Sequence, residues 1–257
     1  MRSVRIVAFA STTALLAMAA PVHSYQGADL AATSEPGHFA MSRLDAGFDT
    51  FVPPPYRPDS LEVEREIIDL RILARDARTP RILGIIALEA QDAHQIRAIF
   101  EDRGILPSAA QYPALWKYLE ALENEAGFFS ARDMIRFNRA WPADISDEIH
   151  EIAGRAEIGP YPSGVSARAF ALAYGLSIIN PECSALYFET SSRISKRREI
   201  AGLNHASDTA AGEVLASRVV DALVSGGALS QMIEALQDEI ENIQKPGCEP
   251  GLNSASQ

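Results

Sequence analysis

The stretch "GPYPSGVSARAFALAYG", residues 159–175, sets the reading of the whole chain. Pro162-Ser163-Gly164 closes a turn, and an Ala-rich apolar run follows at once. Ser is a preferred N-cap, so the pattern predicts a helix that opens here. The first amides of a helix have no partner inside it, which makes such an opening a natural place to hold an anion. The residue after Gly164 would point into that place, and it is Val165, an isopropyl group with no chemistry of its own.

Helical periodicity continues on both sides. Upstream, "SLEVEREIIDLRILARDAR" sets Leu61, Ile67, Leu70 and Leu73 along an apolar stripe, with Asp59 or Ser60 as the cap. "RILGIIALEAQDAHQIRAIFED" reads as a second helix stopped by Gly104, and residues 111–142 give one or two more before Pro142. Downstream, helices are predicted over 166–180, 182–202, 206–225 and 227–244. No run of alternating β-branched residues is long enough for a sheet, and no repeat is present. The expectation is an all-α fold, a single helical-bundle domain over 59–245.

The ends differ in character. Residues 1–24 carry Arg2 and Arg5, then an apolar run from Ile6 to Ala20, then small residues. That is the layout of a secretory signal peptide, which predicts a periplasmic or secreted protein with no stable membrane span after cleavage. Residues 25–58, rich in Gly, Pro, Ser and Asp and closing on "FVPPPYRPDS", read as an extended N-terminal arm. Residues 246–257 read as a flexible tail.

Among the 257 residues, 47% are apolar and 22% charged, an ordinary globular balance. Net charge is −11, and loss of Arg2 and Arg5 with the leader makes it −13, which argues against nucleic acid as a partner. An anionic ligand would have to be held by a local Arg cluster against that field. The two cysteines, Cys183 and Cys248, lie in no metal-ligand spacing. In an exported protein they could be paired or free, and both readings stand. His94, Glu89 and Asp92 do not share one helical face, so no metal site is expected there, and no cofactor is implied.

Three clusters suit anion binding. Arg132 and Arg139 are seven apart, which on a helix sets them on one face. Ser163 and Gly164 open the helix already described. "RREIAGLNHASDTAAG" brings Arg198, Asn204, His205 and Asp208 into one junction. Each cluster alone has an ordinary reading: a solvated basic stripe, a plain N-cap, and a helix–turn–helix junction capped by Ser207 or Asp208.

Taken in order, the three resemble the exported class A bacterial acid phosphatases, of the type 2 phosphatidic acid phosphatase and vanadium haloperoxidase superfamily. That family carries Lys-x6-Arg-Pro, Pro-Ser-Gly-His and Ser-Arg-x5-His-x3-Asp. Here Arg132-x6-Arg139-Ala140, Pro162-Ser163-Gly164-Val165 and Arg197-Arg198-x5-Asn204-x3-Asp208 stand in their places. The resemblance implies that Arg132, Arg139, Ser163, Gly164 and Arg198 bind phosphate oxygens. It implies that Val165 replaces the acid His, that Asn204 replaces the nucleophilic His, and that Asp208 is the orienting carboxylate. A carboxamide is neither base nor useful nucleophile, and valine has no proton to give, so the cradle reads as binding a phosphate or small phosphomonoester with little or no turnover. His205 is the fallback nucleophile of an alternative, active phosphatase: one residue is a rotation of about 100° on a helix, which turns its ring away unless a bulge restores it. A structural, partner-binding helical domain is the remaining alternative. Family members often self-associate, so the resemblance also admits a homo-oligomer.

Overall fold

Ser163 does start a helix, and that helix becomes the centre of the molecule. The computed structural model describes residues 50–90, 96–156 and 158–243, together with Cys248. Across them run α1 (Leu61–Ala77), α2 (Pro80–Glu89), α3 (Ile96–Asp102), α4 (Pro113–Phe137), α5 (Pro142–Ile145), α6 (Gly164–Ile179), α7 (Ser184–Ile200), α8 (Ala206–Ser225), α9 (Ala228–Ala235) and α10 (Gln237–Ile243). A 3-10 turn, Pro181–Cys183, joins α6 to α7. Among the described residues there is no strand, and the fold is all-α.

Local chemistry sets the ends. Ser60 caps α1 by accepting from the Val63 amide, and Thr79 caps α2 ahead of Pro80, whose missing N–H is no loss at that position. α6 is apolar almost all round and mostly buried, with Ile178 in its last turn exposed. It is wrapped by α4, α7 and α8. Ala167, Leu172, Leu176, Leu122, Leu215 and Ile194 meet there, each fully buried or nearly so. Close approach needs glycine at two crossings. A Cβ on Gly175 would stand 2.1 Å from Leu122 Cδ1, and one on Gly212 would stand 2.6 Å from the Ser163 carbonyl.

Several expectations are corrected. Leu61 is exposed; the inward stripe of α1 is Val63, Ile67 and Leu70, packed on Ile149 in a small cluster apart from the main core. The predicted helix over 81–102 has two described parts, α2 and α3, with 91–95 outside the described residues. The helix predicted over 227–244 is interrupted at Leu236, whose φ of −110° and ψ of 14° leave the helical region as its side chain drops into the core.

The described end of the arm, residues 50–58, is docked on the domain. Phe51 and Val52 are buried, Arg218 donates to the Phe51 carbonyl at 2.7 Å, and Tyr161 donates to the Pro53 carbonyl at 2.7 Å. Cys183 and Cys248 are joined in a disulfide, Cα–Cα 4.9 Å, which resolves the two readings left open by sequence. The leader, residues 25–49 of the arm and the rest of the tail lie outside the described residues. No described helix is long and apolar enough to cross a membrane.

Candidate functional site

The start of α6 is wedged between two neighbours. Ser163 is its N-cap; the hydroxyl oxygen accepts from the Ser166 amide at 3.3 Å and from the Ser166 hydroxyl at 3.0 Å. The Ser163 amide donates to the Asp208 carbonyl at 2.9 Å, which pins the start of α6 to the start of α8. On the other side, a Cβ at Gly164 would come within 3.0 Å of Met134 Cε and 3.1 Å of Ser130 Oγ on α4. Ser163 and Gly164 are therefore buried.

Arg132 and Arg139 do not share a helix face. α4 ends at Phe137, and Asn138 adopts a left-handed cap with φ 41°, so Arg139 lies beyond the helix. Arg132 donates through Nε and Nη2 to Asp133, at 3.0 and 2.9 Å, and stands over the Phe129 ring at 5.0 Å. Arg139 is buried between α1 and the start of α8. Its Nη2 donates to Glu66 Oε2 at 2.8 Å, and its Nη1 donates to Ser207 Oγ at 2.7 Å and to Asp208 Oδ1. The same guanidinium stands over the Tyr161 ring at 5.8 Å.

α8 opens differently from either cap expected. His205 is the N-cap, and Asp208, one turn in, reaches back so that its Oδ2 accepts from the His205 amide at 2.7 Å. Ser207 is the second residue of the helix, and its amide donates to Glu66 Oε1 at 2.6 Å. Asn204, just before the cap, donates from Nδ2 to the Pro160 carbonyl at 2.9 Å and accepts from Arg198 Nε at 3.4 Å. Both ends of its carboxamide are thus committed. Val165 and Arg198 line one small recess with Ile86, Glu89, Ile194 and Arg197. Arg197 is held there by Glu89, through contacts of 2.7 and 2.6 Å.

Electrostatics follow burial. Burial raises the Asp208 carboxyl to about 7, against the pull of Arg139 and the His205 amide. Burial would raise Glu66 as well, but its bonds from the Ser207 hydroxyl and amide, with Arg139, outweigh that and hold it below the usual carboxylate range. Burial first, and then the Arg139 charge, push the His205 imidazole down to about 4; Glu66 and the Ala140 backbone pull only part of the way back. The ring has 0% exposure, and Nδ1 lies 3.8 Å from Glu66 Oε2.

The structure therefore joins Arg139, Asp208 and His205 in one buried network and ties Ser163 to it through the backbone. It places Asn204 against Arg198, and Arg198 with Val165, along the adjoining recess. Arg132 is engaged by Asp133. Two members of the network, Glu66 and Ser207, were not assigned to the site from sequence. Glu66 had a legible signal: it falls three residues after Val63 and four before Leu70, a carboxylate on the apolar stripe of α1. An acid in that register needs a buried partner.

No family model matches the chain. Part of it is similar to a non-specific acid phosphatase of Providencia stuartii, 32% identical over 87 residues. The match takes in 34% of this chain and 35% of that protein, so the chain spans about a third of the relative's length.

Proposed function

We propose that this protein is an exported acid-phosphatase-like protein that binds a phosphate or a small phosphomonoester and has lost efficient turnover. The observation that carries the reading is Asn204. In the motif it occupies the nucleophile's position, beside Arg198 and four residues before Asp208, and here it is a neutral carboxamide fixed on the Pro160 carbonyl and Arg198. Its nitrogen lone pair is delocalised, so no covalent phosphoryl intermediate forms there. Val165 leaves the leaving-group side without an acid, a group that typically contributes 10²–10⁴-fold. Guanidinium groups and helix-opening amides remain as the source of anion affinity. The partial likeness to a non-specific acid phosphatase supports the same ligand class. Export is supported by the leader pattern and by the Cys183–Cys248 disulfide, a bond that persists in oxidising compartments.

The active alternative requires the His205 ring to attack phosphorus. That ring is fully buried beside Glu66, so the observed geometry favours the binding reading. The test is nitrophenyl phosphate added to the full chain, with heat of binding and nitrophenolate release followed on one sample. Saturable binding with release at the buffer rate is expected. Catalytic release that His205→Gln abolishes would replace this reading with the enzyme.

A further inference from the structure

The helix α1 is apolar on two opposite sides. Val63, Ile67 and Leu70 face inward, onto Ile149. Leu61, Ile68 and Ile72, at spacings of seven and four, lie along the other side and are 65%, 45% and 44% exposed. At about 100° per residue these three fall within about 40° of one another, roughly opposite Leu70. Single exposed apolar side chains are ordinary, but three large aliphatics in one row on one helix form an unpartnered seam. The charges beside the seam say what fits it. Arg65 and Asp69 stand on one flank, Glu64 and Arg71 on the other, all of them exposed. Arg71 holds Glu148 of its own chain at 2.7 Å, an exposed pair whose guanidinium has donors for a second carboxylate. The row closes at Arg75, which is paired with Asp76 at 2.6 Å.

We propose that this seam is the contact between two copies of the chain, packed α1 against α1, antiparallel, about a two-fold axis beside Ile68. A two-fold contact is self-complementary: where residue i meets residue j, j also meets i. In the antiparallel arrangement each flank meets its own copy. Leu61 then falls beside the partner's Ile72, Arg65 faces the partner's Asp69, and Glu64 faces the partner's Arg71. The midpoints of these three pairs coincide to within about one residue of helix, so a single register satisfies the apolar row and both flanks together. The antiparallel sense also sets the two helix dipoles against each other favourably. A partner of uniform charge would meet a repulsive residue on each flank, and the carboxylates Glu64 and Asp69 disfavour an anionic lipid surface. α1 has 17 residues, about 25 Å of helix, so the contact is smaller than a standard interface and the dimer is weak and concentration-dependent. The proposal goes beyond the phosphate-binding reading and does not depend on it.

The experiment is sedimentation velocity of the full chain over a wide range of concentrations. The proteins are wild type, Ile68→Asp, Arg65→Asp, Asp69→Arg, and the double variant that carries Arg65→Asp with Asp69→Arg. All three positions are exposed, so the changes leave the core intact, and circular dichroism confirms folding. The wild type should pass from monomer to dimer as concentration rises. Ile68→Asp should weaken association at least tenfold. Each single reversal sets like charges across the axis and should weaken it as well, whereas the double variant exchanges the two signs and should recover most of the loss. A second measurement does not rely on these variants. Cys183 and Cys248 are paired with each other, so Ile68→Cys adds a thiol of its own beside the axis, and oxidation should give a reducible covalent dimer. A wild type that stays monomeric at the highest concentration, a dimer unmoved by Ile68→Asp, a double variant no better than the single reversals, or Ile68→Cys that yields no covalent dimer would each overturn the proposal.

Discussion

His205→Gln removes the one imidazole buried at the start of α8 and leaves a neutral side chain of similar size. The ring takes up its proton near pH 4 in the folded protein against an ordinary 6.5, through burial first and the Arg139 charge second. Below 6.5 the unfolded chain therefore binds a proton that the folded one refuses, and stability is lost as pH falls from 6.5 towards 4. At about 1.4 kcal/mol per pH unit, the shift from 6.5 to about 4 amounts to about 3 kcal/mol. Asp208 and Glu123 act in the opposite sense. Burial raises each to about 7, so the folded protein keeps protons the unfolded chain has lost, and stability declines as pH rises towards 7. Those contributions are common to wild type and variant and cancel in the difference. The assay is urea unfolding followed by circular dichroism at about pH 7.5 and about pH 4.5, with linear extrapolation. Relative to wild type, His205→Gln should gain about 3 kcal/mol between the two conditions, whatever its packing loss at the higher pH. A difference that stays constant within about 1 kcal/mol would refute the assignment of a neutral, desolvated ring.

Three further outcomes are expected. Val165→His with Asn204→His should raise nitrophenyl phosphate hydrolysis above either single change, because nucleophile and acid act on one reaction coordinate; initial rates of the four proteins decide it. Cys183→Ser should lower stability by about 2–4 kcal/mol in urea, since the disulfide closes a separation of 65 residues, and equality with wild type would contradict this. Gly212→Ala should cost about 1–3 kcal/mol, as its Cβ would stand 2.6 Å from the Ser163 carbonyl and 2.8 Å from Ser166 Cβ; an unchanged thermal midpoint would show that α6 and α8 are not so tightly apposed.

The helical class could be read from sequence because each segment carries its own period and punctuation. Ser60, Ser163 and the break before Pro142 are local signals, and local signals suffice to place a helix. Relations between segments are another matter. Arg132 and Arg139 share a face only if the helix continues, and the left-handed Asn138, a single residue, ends it. The partner of Arg139 that sequence reasoning missed, Glu66, lies 73 residues away and belongs to no motif. Its register on α1 shows that it must meet something, but what it meets is decided by packing. His205 illustrates the same limit. A one-residue shift from the motif position leaves open whether the ring faces a ligand, and tertiary burial beside Glu66 and Arg139 answers the question.

The claim that this junction holds phosphate is tested most directly by titrating inorganic phosphate into the wild type and Arg198→Ala at about pH 6, with folding confirmed by circular dichroism. A hydrogen bond to a charged group is worth about 1.5–3 kcal/mol, so removing Arg198 should weaken binding by about ten- to a hundredfold. Phosphate bound with equal affinity by the two proteins, or by neither, would contradict the account.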